Sequence, residues 1–223
     1  MTQPSTPHPF GHLGSYRVET LADGVFAIAM TLLVLDLKVP SLAAVAEAGG
    51  LGPALLLLWP RVLAYGISFV ILGIYWTAHH YQYHSLKQAD RNALWINLLF
   101  LLLVTALPFS ASLLASYPER TAILVYAANS AGIGLALYAN WSYGSRRPEL
   151  LRGPLDPGFV RLIRYHILFA PTLYALAIPL SFVHVGASVA VLVVAPLINL
   201  TGLSLTIPAW FLGKAATVSG TNK

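Results

Sequence analysis

Ionisable residues lie near the start of a long apolar segment, where they could bind ions or carry protons. Residues 17–40 read RVETLADGVFAIAMTLLVLDLKVP, and Arg17, Glu19 and Asp23 fall in its first turns. An ionisable residue at membrane depth indicates a functional site, because leaving it unpaired in hydrocarbon is costly. Glu19 and Asp23 share a helix face at a spacing of four residues, whereas Arg17 does not align with Asp23. We therefore expect each charge to find its partner on another helix.

Spaced histidines are a second feature of interest. The run HHYQYH covers residues 79–84, and its His80 and His84 share one helix face at a spacing of four residues. Together with His166 they have the residue type and spacing found in zinc and haem sites, so a haem- or metal-binding membrane protein is one alternative. Aromatic and amphipathic residues also collect at membrane interfaces. We favour this interfacial interpretation and expect neither a cofactor nor a resident metal.

The composition is that of an integral membrane protein. Of the 223 residues, 57% are hydrophobic and 9% are charged, and the mean hydropathy is +0.70. Several apolar runs are about 20 residues long, the length that a membrane-spanning helix needs. The chain has no Cys, which excludes disulfides and thiolate metal sites. It also lacks the Gly-rich phosphate loop and the HExxH and GxSxG motifs, so we expect no enzyme activity.

The apolar periodicity predicts an all-α protein with six transmembrane helices. Their predicted ranges are 17–39, 54–84, 95–117, 122–143, 162–183 and 187–212. Residues 17–213 would form one transmembrane domain between an N-terminal tail, residues 1–16, and a C-terminal tail, residues 214–223. No internal repeat relates the two halves of the chain.

The distribution of basic residues predicts the orientation in the membrane. Cytoplasmic loops carry an excess of Lys and Arg. One side of the predicted bundle holds Arg17, Lys87, Arg91, Arg146, Arg147, Arg152, Arg161, Arg164, Lys214 and Lys223, and the other holds Lys38, Arg61 and Arg120. Both termini should therefore be cytoplasmic in a multi-pass protein of the cell membrane. The net charge of +5 then reflects topology rather than nucleic-acid binding, although the basic loop 146–164 should also meet anionic headgroups.

In this topology, polar side chains from three helices reach one membrane level at the cytoplasmic end. The set comprises Arg17, Asp23, Trp76, His79, His80 and Asn97. Buried polar groups must be satisfied, so the favoured interpretation is a structural hydrogen-bond network that locks the helices together. The alternative is that the network also positions or gates a pore.

The first helix carries a family resemblance. Arg17, three intervening residues, then Leu21-Ala22-Asp23 and the following GVFAIA resemble the first-helix signature of the endolysosomal potassium channel family. The match is to its prokaryotic members, which have one six-helix repeat per chain. The family pattern is Arg, three residues, Phe-Ser-Asp, so this chain departs from it at Leu21 and Ala22.

The resemblance implies a homotetramer in which four first helices line a central pore. Large apolar side chains would form a hydrophobic constriction, which places Ile28, Leu32 and Leu35 in the pore with Thr31 as a nearby hydroxyl. By periodicity alone, this stripe would be lipid-facing or core. The resemblance thus implies a channel for K⁺ and other monovalent cations, weakly to moderately selective for K⁺ over Na⁺. No TVGYG carbonyl filter occurs in the chain.

A proton-coupled secondary transporter is the main alternative. It would use Asp23 and the cytoplasmic-side histidines as a relay. The lack of an internal repeat and of acidic residues near mid-membrane argues against it.

Overall fold

Helices carry almost all of residues 13–201, the part of the chain that the computed structural model describes. The α-helices are α1 Ser15–Val34, α2 Leu42–Glu47, α3 Leu51–Leu56, α4 Trp59–His84, α5 Arg91–Ser116, α6 Arg120–Gly144, α7 Pro157–Val183 and α8 Val185–Leu200. Two-residue strands, β1 Leu13–Gly14 and β2 Gln88–Ala89, pair antiparallel. The all-α prediction is confirmed.

Four of these helices are long and apolar enough to cross a membrane, namely α4, α5, α6 and α7, with 25 to 27 residues each. At 1.5 Å per residue they reach about 38 Å or more, beyond the roughly 30 Å of a hydrocarbon core. A multi-pass membrane protein is therefore confirmed. Helix α1 has 20 residues and α8 has 16. The predicted sixth span, 187–212, extends beyond the described residues, and six crossings stay a prediction.

The helix ends differ from the predicted ones because side-chain caps and prolines set them. Asp90 caps α5 by accepting a hydrogen bond from the Ala93 amide at 2.8 Å. Asp156 does the same for α7 through the Phe159 amide at 2.7 Å, so both helices begin earlier than the apolar pattern suggested. The predicted second helix is interrupted: α3 ends at Leu56 and α4 starts at Trp59, with proline in its first turn.

The predicted first helix is also shorter than expected. Helix α1 ends at Val34 and not at Val39. The residues that follow include Asp36, Lys38 and Pro40. Polar side chains compete for backbone hydrogen bonds, and the residue before a proline disfavours helical geometry, so the chain turns here.

Helix α6 is the centre of the bundle. It packs against α5 on one side and α7 on the other, while α8 packs on α7 and α4. Gly134 of α6 lies so close to α7 that an added Cβ would come within 2.3 Å of Pro171 Cγ. Helix α1 lies at the side of the bundle, where it contacts α4 and α5.

A small second cluster of buried residues closes one end of the bundle. Leu86, between α4 and α5, forms an isolated bridge with Leu151, between α6 and α7. The Lys87 amide donates to the Leu150 carbonyl at 2.9 Å. Arg152 Nε donates to the Leu86 carbonyl at 3.0 Å. The two connections at this end therefore form one joined layer.

Candidate pore helix and its polar contacts

Helix α1 has one face in the core and one face outside the single-chain bundle. The buried face consists of Ser15, Val18, Ala22, Phe26, Ala29 and Leu33. The opposite face carries Ile28, Leu32 and Leu35, which are 60%, 45% and 67% exposed, together with the exposed Thr31. All four residues predicted for a pore constriction thus lie on the outward face.

The rotation of α1 about its axis is fixed by side-chain size on the buried face. Phe26 is fully buried and packs on Phe100 of α5, with ring centroids 5.8 Å apart. Ala22 and Ala29 flank it and let the neighbouring helices approach. A shift by one residue would turn the helix by about 100° and would drive Ala27 rather than Phe26 into the core. The packing therefore selects which residues face outward.

The hydroxyl of Thr31 is bonded within α1. Its Oγ1 donates to the Ile28 carbonyl at 2.8 Å. With its hydrogen directed to the backbone, the hydroxyl oxygen keeps a lone pair that can accept a hydrogen bond or contact a cation. The Thr31 side chain therefore offers an acceptor on an otherwise apolar face.

Asp23 and Trp76 join α1 to α4. Trp76 Nε1 donates to Asp23 Oδ1 at 2.8 Å. Both residues are exposed, and the Trp76 ring also stacks on His80, with centroids 6.1 Å apart. Because the acceptor is a carboxylate, this bond is charge-assisted. It ties the outward side of α1 to α4.

His79 and Asn97 form a second pair, which joins α4 to α5 inside the bundle. His79 Nε2 donates to Asn97 Oδ1 at 2.8 Å, and the two residues are 2% and 1% exposed. The His79 ring lies parallel to Phe100, with a centroid distance of 5.2 Å and an interplanar angle of 2°, and also stacks on Tyr83. The imidazole is thus fixed by one hydrogen bond and two ring contacts.

The six polar residues selected from the sequence therefore comprise two hydrogen-bonded pairs and two residues, His80 and Arg17, that take no part in those hydrogen bonds. His80 is exposed and stacks on Trp76 and on His84. Arg17 is exposed, and within residues 13–201 the structure gives it no hydrogen bond or ion pair. No cluster of three or more His, Cys, Asp or Glu side chains able to hold a metal forms within the same residues.

Sequence reasoning missed a contact at the opposite end of α1. Ser112 Oγ of α5 donates to Asp36 Oδ1 at 2.7 Å. The bond anchors the turn that follows α1. A serine within an apolar helix was the available signal, but the sequence alone does not show which acid it meets.

Comparison with known proteins identifies the family. The family model "Endosomal/lysosomal potassium channel TMEM175" matches residues 17–108, from α1 into α5. A potassium channel of Streptomyces collinus is 37% identical over 174 residues, covering 76% of this chain and 83% of that protein. A potassium channel of Chamaesiphon minutus is 39% identical over 179 residues, covering 78% of this chain and 88% of that protein.

A solved structure and a eukaryotic relative support the same family. The crystal structure of a lysosomal potassium-selective channel TMEM175 homologue from Chamaesiphon minutus superposes with a TM-score of 0.75 at 36% identity, covering 85% of this chain and 97% of that one. The human endosomal/lysosomal proton channel TMEM175 is 41% identical over 103 residues, covering 44% of this chain and 20% of that protein. The family predicted from the first helix is thus confirmed: this chain belongs to the TMEM175 family.

Proposed function

We propose that the chain is the subunit of a potassium-permeable cation channel in which four copies place α1 around a central pore. The observation that carries the proposal is the outward apolar face of α1, with Ile28, Leu32 and Leu35 exposed beside Thr31. The names of the bacterial relatives, which are potassium channels, support it. Permeation is passive, and K⁺ is the cargo rather than a resident cofactor.

The proposed constriction works through its apolar surface. A narrow ring of Ile28 side chains holds water weakly, so it can close the pore by dewetting. Leu32 and Leu35 lengthen the apolar zone, and Thr31 supplies an oxygen within it. Na⁺ binds its water more tightly than K⁺, so partial dehydration costs Na⁺ more. Such a pore prefers K⁺ weakly to moderately, without a carbonyl filter.

The polar pairs would act as positioning groups. Helix α1 presents Ile28 to the pore only at one rotation about its axis. The hydrogen bond between Asp23 and Trp76 and the rigid packing around His79 and Asn97 hold α1, α4 and α5 at that rotation. Neither pair needs to contact the permeating ion.

The proposed topology has six crossings. Helices α1 and α8 would cross the membrane in addition to α4, α5, α6 and α7, and both termini would lie in the cytoplasm. The support is the excess of Lys and Arg in the α4–α5 and α6–α7 connections, which meet at one end of the bundle.

A reversal-potential measurement tests the channel. The purified protein would be placed in a planar bilayer with KCl on one side and NaCl on the other. We expect currents whose reversal potential lies toward the K⁺ equilibrium potential.

The substitution Ile28→Asn tests the proposed constriction. It should raise conductance and reduce the K⁺ preference, because the amide hydrates the constriction. Leu176→Asn is the matched control, since Leu176 is 55% exposed against 60% for Ile28 but lies on α7. Unchanged currents in Ile28→Asn would show that α1 does not line the pore.

Proton-coupled transport is the second candidate. It is favoured by the series Asp23, Trp76 and His80, in which a hydrogen bond and a ring contact connect two exposed titratable side chains. The vertebrate relatives are named proton channels, which makes proton passage worth measuring. Saturable, pH-driven uptake into liposomes that Asp23→Asn abolishes, without single-channel currents, would replace the channel proposal with this one.

A further inference from the structure

A cavity of about 740 Å³ opens where α6 ends and α7 begins. It lies beside the joined layer of connections, at one end of the bundle. The side chains that matter for its chemistry are Ser145, Leu151, Leu155, Arg161 and Arg164, with Gly153 at its wall. The proposed ion path along α1 does not use this cavity.

Two arginines give the cavity its charge. Arg161 and Arg164 are three residues apart on α7, so they lie on the same helix face. Arg164 Nη2 reaches Ser145 Oγ at 3.5 Å, but its Nε is buried and has no acceptor among residues 13–201. A buried N–H without an acceptor is costly, and that of a guanidinium more so. The geometry therefore favours an acceptor supplied from outside the chain.

The acids near this end are engaged elsewhere. Asp156 caps α7 through the Phe159 amide. Glu149 lies 3.6 Å from Arg147, and Asp90 also contacts Arg147, at 3.7 Å. Among residues 13–201, no acidic side chain lines the cavity, and neither Arg161 nor Arg164 forms an ion pair. The described part of the chain thus leaves the positive charge of the cavity without a neutralising acid.

We propose that this cavity binds a phosphate group. The guanidinium of an arginine presents parallel N–H donors that match phosphate oxygens, and two arginines three residues apart can share one phosphate. Leu151 and Leu155 provide apolar walls beside these donors. The phosphate can come from a lipid headgroup, whose chains would lie on those walls, or from a free phosphate ion.

Two ligands distinguish the sources. The purified full-length protein in neutral detergent is titrated with inorganic phosphate and, separately, with dioctanoyl phosphatidic acid, and binding is measured by calorimetry and native mass spectrometry. Dioctanoylglycerol, which has the same chains and no phosphate, is the ligand control. Phosphatidic acid that binds at least about tenfold more tightly than phosphate assigns a lipid headgroup, and comparable affinities assign free phosphate. Binding of neither, or equal binding of dioctanoylglycerol, overturns the proposal.

Three variants locate the binding. Arg161→Gln/Arg164→Gln should weaken it by about tenfold or more, because it removes charge-assisted hydrogen bonds. Gly153→Leu keeps both charges but fills space, since an added Cβ at Gly153 meets no atom within 4 Å, and it should weaken binding similarly. Lys87→Gln/Arg146→Gln removes the same charge from exposed positions outside the cavity. The proposal of a specific site is refuted if the control loses as much binding affinity as the arginine variant. It is also refuted if neither the arginine variant nor Gly153→Leu loses affinity.

Discussion

Trp76 Nε1 and Asp23 Oδ1, 2.8 Å apart, connect the helix that carries the proposed constriction to α4. Asp23 lies five residues before Ile28 on α1, so the bond restrains the same helix that presents the apolar face. Both side chains are exposed in the single chain. We therefore expect the bond to contribute more to the orientation of α1 than to the stability of the bundle.

Trp76→Phe tests that relationship. The substitution keeps an aromatic ring and removes the N–H donor. We expect a loss of stability of about 1 kcal/mol or less, because water can replace an exposed hydrogen bond. We also expect the reversal potential to shift toward the value for equal K⁺ and Na⁺ permeability, because α1 is held less firmly at the rotation that presents the constriction. Thermal unfolding and bilayer currents measure the two effects.

Trp95→Phe is the control for this substitution. Trp95 is 63% exposed on α5, and the structure gives it no hydrogen bond within residues 13–201. The same chemical change there should leave the ion preference unaltered. Equal reversal potentials for Trp76→Phe and the unaltered protein would contradict an orienting role for the bond.

Thr31→Val tests the role of the hydroxyl on the proposed pore face. Valine is β-branched like threonine and has nearly the same shape, so the helix is kept while the oxygen beside Ile28 is lost. If that oxygen contacts partly dehydrated K⁺, conductance and K⁺ preference should both fall. Thr105 on α5 is a closely matched control, because it is exposed and its Oγ1 makes the same bond, to the Leu102 carbonyl at 2.8 Å. Thr105→Val should therefore leave currents unchanged, and an equal effect of both variants would argue against a specific role for Thr31.

His79 and Asn97 should show strong thermodynamic coupling. His79→Phe preserves the ring stacked on Phe100 but leaves the buried Asn97 amide without its partner. We expect it, and Asn97→Leu likewise, to lower the free energy of unfolding by about 1–3 kcal/mol. The double variant should lose less free energy of unfolding than the two single variants lose together, because neither hydrogen-bonding partner is then left unsatisfied. A double-mutant cycle of denaturant unfolding measures the coupling, and strictly additive losses would mean that the hydrogen bond contributes little.

The fold was predictable from the sequence to the extent that it depends on local pattern. Apolar runs gave the spanning helices, and the spacing of Ile28, Leu32 and Leu35 placed them on one stripe. The family was predictable because Arg17 and Asp23 keep their spacing. Helix ends were less predictable, since caps such as Asp90 and Asp156 act outside the apolar pattern.

The pairing of side chains between helices could not be predicted from the local sequence pattern. The sequence placed Arg17, Asp23 and His79 at one level, but pairing depends on rotation and distance between helices. The packing of Phe26 on Phe100 sets that rotation, and it leaves Arg17 outside the two bonded pairs. Ser112 could not be assigned to Asp36 for the same reason, because 76 residues separate them.

Gly134→Ala should measure how tightly α6 and α7 pack. The added Cβ would lie 2.3 Å from Pro171 Cγ and 2.9 Å from its Cδ, and a proline ring cannot turn away. Overpacking of this kind costs about 1–3 kcal/mol. Gly66→Ala on α4 is the control, since its Cβ meets no atom within 4 Å and alanine favours helix by about 1 kcal/mol. We expect Gly134→Ala to lower the melting temperature and Gly66→Ala to raise it. An unchanged melting temperature in Gly134→Ala would show that α6 and α7 can separate.

The pair of Asp36 and Ser112 leads to a prediction about salt. If α1 lines the pore, four Asp36 carboxylates surround one mouth, where they would raise the local concentration of cations. Asp36→Asn should then lower the single-channel conductance at low ionic strength. The difference should vanish near 1 M salt, where the screening length falls to about 3 Å.

Ser112→Ala separates charge from position at the same mouth. It keeps the Asp36 carboxylate but removes the 2.7 Å hydrogen bond that fixes it. We expect a smaller loss of conductance than in Asp36→Asn, with the same dependence on salt, because a mobile carboxylate still attracts cations. Ser116→Ala, one turn further along α5 and exposed, serves as the control and should have no effect. A conductance deficit in Asp36→Asn that persists at 1 M salt would instead mean that the carboxylate holds the end of α1 in place, since screening removes electrostatic attraction but not a structural constraint.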